Sequence, residues 1–390
     1  MKKTAILGGG QLARMLIESA QPLGLTPLVY VQDKNEPATE LAAGFEVGSW
    51  DDEAALRRLF QKADVVVFEN EFVNLDAIRK AAAGLPVRFA PSLDAFSIIQ
   101  HKCDQKRWLV KNQFATTPYT EFESMADYFA DADVASRPHV LKWGSRGYDG
   151  KGILPVDSST PKETVTAFFD EATKVGSLVF AEEKVNFLRE LAVLAVRNAS
   201  GEKAVYPLVA SIQEEGICWW VKGPAAALGI SREVEKEAQT IAIRALELLK
   251  WEGALAIEFF QTSETRISIN ELAPRVHNSG HFSQNGADTS QFENHWRGAL
   301  QMKLGSGKTA PFFAMRNLLG PTGYTGTPDY TPHNLPEGAF FHWYGKKEVR
   351  PKRKIGHVNV RAASRAELDS LCERVDKWVR SWESSWQKRT

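Results

Sequence analysis

Within the first ninety residues, short apolar runs alternate with segments of helical spacing, and this alternation limits the possible folds more than any other feature of the chain. Thr4 to Leu7 reads as a strand, Gly8-Gly9-Gly10 breaks it, and Leu12, Met15, Leu16 and Ser19 then recur at helical intervals. Pro27 to Val31 is a second strand, ending at Gln32-Asp33. A helix from Asp52 to Lys62 leads into Val65-Val66-Val67-Phe68, and another from Asn74 to Ala83 precedes Val87-Arg88-Phe89. Strands that alternate with helices predict a parallel sheet covered on both faces, ending near Pro91.

The texture then changes. Ser92 to about Val110 reads as a helical linker dense in Lys, Asp and Gln, followed by hairpin-like strands: His139 to Trp143, Gly152 to Pro155, Ser177 to Val185, Glu190 to Arg197 and Ala204 to Gln213. A long helix from Glu233 to Lys250 precedes a strand pair from Ala254 to Ala273. After the joint Leu304-Gly305-Ser306-Gly307 the last stretch is partly β and closes with a helix from about Arg365. The expected class is α/β followed by α+β, in three domains: 1–92, 93–305 and 306–390.

At 390 residues the chain exceeds what one core usually supports. Forty-eight basic and 48 acidic residues cancel, so no global field favours nucleic acid or an anionic membrane, and any bound anion needs a local cluster. The three cysteines (Cys103, Cys218, Cys372) are far apart and lack metal-ligand spacing. No run approaches the roughly 20 apolar residues of a membrane span, and the apolar run after Met1 is too short for a signal peptide. A soluble cytoplasmic protein is expected.

Gly8-x-Gly10-x-x-Ala13 after a strand, with Asp33 closing the next strand, matches the dinucleotide fingerprint and taken literally predicts an NAD-dependent dehydrogenase. Its physical content is broader. Glycines let backbone N–H groups approach any anion at a helix N-terminus.

Glu258 and Glu271 are the more informative residues. A hairpin closed by Thr262 to Thr265 would set Glu258 opposite Ile269 and Ala256 opposite Glu271. The two glutamates would then be diagonal neighbours on one face, about 7–8 Å apart at Cβ, with Phe260, Ile267 and Ile269 beside them. That span suits Mg²⁺, which takes one or two carboxylates together with nucleotide phosphates. Arg275, His277, Asn278 and His281 follow at once, a run of donors fit to clamp a small anion. Together these features point to phosphoryl chemistry.

Lys142 ends a strand and is followed by Gly144 to Gly152, with four glycines in nine residues, a flap able to cover phosphates through its N–H groups and Lys151. It lacks the P-loop pattern. Glu182 to Val185 form a strand end able to meet an adenine edge, and Glu190 is available for ribose hydroxyls.

Lys142, the flap, Glu182 to Val185, Glu258 and Asn270-Glu271 resemble the nucleotide apparatus of the ATP-grasp fold. Asn270-Glu271-Leu272-Ala273-Pro274-Arg275-Val276-His277-Asn278-Ser279-Gly280-His281, with GGGQLARM near the N-terminus and the run Lys347 to His357, resembles the N5-carboxyaminoimidazole ribonucleotide synthase family. The resemblance implies a Rossmann-like N-terminal domain, a two-lobed ATP-grasp domain and a small β-rich C-terminal domain. It implies that bicarbonate attacks ATP to give carboxyphosphate, which carboxylates aminoimidazole ribonucleotide. Residue by residue, it implies ATP contacts from Lys102, Lys142, Gly147, Tyr148, Asp149, Gly150, Gly152, Glu182, Glu183, Lys184, Val185, Glu190, Gln213, Asn270 and Glu271. Mg²⁺ (or Mn²⁺) would sit on Glu258 and Glu271, with catalysis by Lys151, Arg275, His277 and Asn278. The ribonucleotide would meet Gly10, Gln11, Leu12, Tyr148, Lys347, Arg350 and Arg353. A homodimer and a separate mutase to receive the product are implied as well.

The chain departs from the family pattern in four places. Ser211-Ile212-Gln213 stands where Asn-x-His is usual, and Lys102 where Arg is common. The acidic motif at Glu69-Asn70-Glu71 is rearranged, leaving open which glutamate faces the substrate, and an insertion near Lys346-Lys347 leaves their alignment open. Two rivals remain beside the dehydrogenase: a sister ATP-grasp ligase with another acceptor, and a nucleotide-binding protein without activity. Trp378, Trp382 and Trp386 recur every four residues, the pattern of a buried helix stripe more than of a dimer contact.

Overall fold

A computed structural model of the chain describes residues 2–145, 147, 152–327 and 331–387. The first sheet is wholly parallel, in the order β3-β2-β1-β4-β5. It comprises β1 (Thr4–Leu7), β2 (Leu28–Val31), β3 (Gly44–Val47), β4 (Val65–Phe68) and β5 (Arg88–Phe89). β1 and β4 are buried at every position, as central strands covered on both faces must be. Helices α1 (Gln11–Ala20), α2 (Glu53–Phe60) and α3 (Leu75–Ala82) supply the crossovers. Asp52 and Asn74 start α2 and α3 by accepting the N–H groups of Ala55 and Ala77. Edge strand β3 escapes sequence reading because Phe45 and Val47 are exposed and leave no apolar run.

The helical linker is two helices, α4 (Leu93–Gln100) and α5 (Lys102–Lys111), broken at His101, whose backbone is extended. The break lets Lys102 N donate to Gly144 O (2.7 Å), tying α5 to the end of the next sheet. That sheet is antiparallel, in the order β6-β9-β7-β8, from β6 (Tyr119–Phe122), β7 (His139–Trp143), β8 (Ile153–Val156) and β9 (Val179–Glu183).

The third sheet has nine strands: β10 (Arg189–Arg197), β11 (Lys203–Val205), β12 (Val209–Glu214), β13 (Ile217–Gly223), β14 (Gly253–Ser263), β15 (Arg266–Ala273), β16 (Phe312–Leu319), β17 (Ala339–Trp343) and β18 (Lys354–Ala362). The single strand expected from Ala204 to Gln213 is split into β11 and β12, since Pro207 between them cannot donate to a ladder. β16 hydrogen-bonds to β13, so the C-terminal strands extend the central sheet. The closing helix Arg365–Gln387 buries Trp378, Trp382 and Trp386 against Val358 and Val360, in agreement with a buried stripe. Helix Gln291–Ala299 is not among the elements expected from the sequence, although Ser290 and Glu293 form a capping pattern at its start. Its Trp296 is fully buried and donates Nε1–H to Leu16 O of α1 (2.8 Å), fastening the first sheet to the third.

Candidate active site

One cavity of about 790 Å³ is lined by residues of the second and third sheets, by the loop after β4 and by the start of α1. Its floor is the β14–β15 hairpin, whose register differs from the sequence expectation. Ser263 pairs with Arg266, so Glu264 and Thr265 alone form the turn, and two irregularities follow. Phe259 faces Ile269 and Glu258 faces Glu271, so Asn270 is an extra residue on β15. The expected diagonal pair is therefore directly opposed, and closer. The bulge also turns Ile267 and Ile269 away: both are buried with Leu255 and Ile257 in the core behind the sheet, while Phe260, Asn270 and both glutamates line the cavity.

Burial, and then the Glu271 and Glu190 carboxylates, push Glu258 up to about 8. Burial also acts against ionisation of Glu271, but the Lys102 ammonium, 2.5 Å from its Oε2, holds it well below the usual carboxylate range. Two facing carboxylates that resist ionising together form a donor set for a hard divalent cation. Among the described residues no three such side chains enclose a metal, and a carboxylate pair completed by phosphate oxygens is the arrangement Mg²⁺ accepts.

Cations ring this floor. Lys142 Nζ donates to Asn270 Oδ1 (3.2 Å) and pairs with Glu182, whose other oxygen pairs with Lys106. Gln213 donates to Glu190, so the glutamine in the departed motif still reaches the ribose candidate. Glu183 pairs with Arg137 (2.5 Å).

Beyond β15, Arg275 meets Glu71 at two points, and the arginine holds Glu71 ionised against its burial. Burial and the adjacent Arg275 lower His277 to about 4. Its Nε2 lies 3.6 Å from Glu258 Oε1; with the imidazole held toward its neutral form and the carboxyl pushed up, the contact is not an ion pair. Gln291 Oε1 accepts His277 N (2.9 Å), and Asn278 exchanges amide hydrogen bonds with Asn317 (2.9 and 2.8 Å), so both residues are rigidly held.

The glycine turn answers the dehydrogenase reading. Gly9 N donates to Glu36 Oε2 (3.1 Å), and the buried Glu69 carboxyl lies against Gly8 and Gly10. Two carboxylates of the chain fill the place a pyrophosphate would need. Glu69 thus faces the glycine turn and Glu71 faces Arg275, and both line the cavity.

The cavity wall contains Gln11, Leu12, Lys102, Lys142, Gly147, Glu182, Glu183, Lys184, Val185, Glu190, Gln213, Glu258, Asn270, Glu271, Arg275, His277 and Asn278. Tyr148, Asp149, Gly150 and Lys151 lie outside the described residues. Gly10 and Gly152 are not on the wall. Neither are Lys347, Arg350 and Arg353: Lys347 donates to Asn35 (3.0 Å), Arg350 pairs with Glu348 (2.7 Å), and Arg353 is exposed in the turn before β18. The cavity residue of that basic run is Lys354, where β18 begins. Lys354 was hidden among six similar charges. Lys106 left no signal beyond its place one helical turn after Lys102.

Comparison with known proteins places these features. An ATP-grasp domain matches residues 107–292, a ribonucleotide synthetase preATP-grasp domain residues 1–100, and a phosphoribosylaminoimidazole carboxylase C-terminal domain residues 314–371. The N5-carboxyaminoimidazole ribonucleotide synthase of Mycobacterium tuberculosis is 35% identical over 98% of this chain and 89% of that protein. The crystal structure of the Thermus thermophilus synthetase superposes with a TM-score of 0.82 at 34% identity, covering 96% of this chain and 98% of that one. The Aspergillus clavatus N5-carboxyaminoimidazole synthase, solved with ADP and 5-aminoimidazole ribonucleotide, gives 0.84 at 30% identity over 97% and 99%. With that identity running the length of both chains, the chain belongs to the N5-carboxyaminoimidazole ribonucleotide synthase family, ATP-grasp ligases of purine biosynthesis.

Proposed function

We propose that the chain uses ATP and bicarbonate to carboxylate the exocyclic amine of 5-aminoimidazole ribonucleotide, giving N5-carboxyaminoimidazole ribonucleotide, ADP and phosphate. The observation that carries this reading is the opposed Glu258–Glu271 pair, with Lys102 and Lys142 on one side and Arg275, His277 and Asn278 on the other, in one cavity. A bicarbonate oxygen attacks the γ-phosphorus, the bond to the β-phosphate oxygen breaks, and ADP leaves. The amine nitrogen then takes the carboxyl carbon of carboxyphosphate, releasing phosphate and a proton.

Phosphoryl transfer needs alignment and charge neutralisation more than covalent help. Lys102 and Lys142 would neutralise the phosphates, with Asn270 steering Lys142. Mg²⁺, or Mn²⁺, on Glu258 and Glu271 would supply Lewis-acid charge to the phosphate oxygens. Arg275, its plane fixed by Glu71, would orient bicarbonate. Neutral His277 would share a hydrogen bond without adding charge, and Asn278 would hold the same anion. The strand end Glu182–Val185 would receive adenine, and Glu190 with Gln213 the ribose. Carboxyphosphate hydrolyses readily, so cover from Gly147, Tyr148, Asp149, Gly150, Lys151 and Gly152 would serve to exclude water.

In this division residues 1–92 and 306–390 serve the ribonucleotide and 93–305 serve ATP, with Gln11, Leu12 and Lys354 at the junction. A homodimer in the cytoplasm, passing its product to a separate mutase, completes the proposal. The test is ADP release with aminoimidazole ribonucleotide and bicarbonate omitted in turn. ADP formation indifferent to the ribonucleotide would overturn the reading.

A further inference from the structure

Glu182 lies in the middle of a row of cations, and its two oxygens are treated differently. Its side chain is 3% exposed; Oε1 pairs with Lys106 and Oε2 with Lys142. Lys106 is enclosed, 3% exposed and absent from the cavity wall, and its Nζ also donates to Thr116 Oγ1 (2.8 Å). Thr116 is itself anchored, donating to Ile269 O of β15 (2.8 Å). Lys142 is the more accessible member, 12% exposed: it lines the cavity and holds Asn270 at a longer 3.2 Å. One lysine is therefore fixed in the interior and the other stands where a ligand can reach it.

A buried carboxylate that loses its only cation is strongly destabilised, whereas one with a second cation is not. We propose that Lys106 is a positioning residue for the nucleotide: by neutralising Glu182 from behind, it lets the Lys142 ammonium be drawn from Glu182 toward an incoming triphosphate. Without Lys106, Lys142 would be the one ammonium left in direct contact with Glu182 among the described residues, and ATP would compete with a buried carboxylate for it. The inference rests on the reading of Lys142 as a phosphate ligand. It predicts that Lys106 matters only because Glu182 is charged.

The experiment is a cycle of four proteins: wild type, Lys106→Met, Glu182→Gln and the double variant. ATP affinity is measured by calorimetry and steady-state KM and kcat by ADP release, with thermal melts confirming folding. Lys106→Met should weaken ATP binding roughly tenfold or more, with kcat changed by less than about threefold. In the E182Q background the same substitution should change affinity by less than about twofold. Equal loss in both backgrounds, or no loss in either, overturns the proposal. If Lys106→Met does not fold, Lys106→Gln, which keeps a donor toward Thr116 and removes only the charge, carries the same comparison. Absence of ATP binding by wild type would instead sink the reading of the site itself.

Discussion

Arg275 and Glu71, 204 positions apart in sequence, form a two-point ion pair at 2.6 and 3.0 Å. It joins the loop after β4 to the loop after β15, and so sets the distance between the first sheet and the cavity floor. Both side chains are mostly buried, 17% and 22% exposed. Removing one partner strands the other charge, so Glu71→Ala should cost about 3 kcal/mol or more in urea unfolding. Arg275→Lys keeps the charge but loses the fork, and should lower kcat at least roughly tenfold with a smaller loss of stability.

Glu271→Gln tests the cation proposal. The substitution preserves shape and removes the charge that Lys102 now balances at 2.5 Å. We expect kcat to fall roughly 100-fold or more with an unchanged circular dichroism spectrum. Undiminished turnover at ordinary Mg²⁺ concentrations would contradict the assignment.

Gly10→Ala should disrupt the first sheet, because a Cβ there would stand 2.4 Å from Glu69 Oε1. Glu69 is buried and pinned by Asn70, so it has little room to retreat. A loss of about 1–3 kcal/mol is expected, read as a lower urea midpoint. Gly84→Ala, with open space around it but φ +74°, should cost only its backbone strain.

Stability should also depend on Glu383 of the closing helix. Burial pushes its carboxyl up to about 7, against the pull of Arg316. A raised acid favours the folded state while protonated, so this contribution is present below the unfolded value near 4.5 and lost as pH rises through about 7. Glu383→Gln should therefore raise the melting temperature more at pH 8 than at pH 5. After allowance for partial exposure, the difference is on the order of 1 kcal/mol. An equal shift at both pH values would contradict the assignment.

Trp382→Ala should cost about 3–5 kcal/mol, since the ring is 5% exposed and stacks on Trp378 at 5.3 Å.

What the sequence made legible was periodic. β1 and β4 announce themselves because central parallel strands are apolar throughout, and the tryptophans on the last helix because their spacing follows the turn. Glu258 and Glu271 were legible as neighbours on a hairpin, but their register was not. The bulge at Asn270 carries no glycine or proline to mark it, and one extra residue turns Ile269 from the cavity to the core. Lys106 and Glu71 were obscure for another reason. Their meaning lies in partners 76 and 204 positions away, and local pattern says nothing of such pairs. The run from Lys346 to Lys354 gave six equivalent charges, and only the start of β18 decides which one turns inward.

The ladder between β13 and β16 has a mechanical consequence. Four consecutive partners, Trp220 to Gly223 against Arg316 to Phe313, stitch the last third of the chain to the sheet that contains the carboxylate hairpin. Those strands share one elastic body, so heating should not melt the tail while leaving the cavity floor whole. Among the described residues the four-stranded sheet β6–β9 has no such ladder to either neighbour. Soft motions of the molecule should therefore concentrate there, as a small lever rocking over a stiff plate.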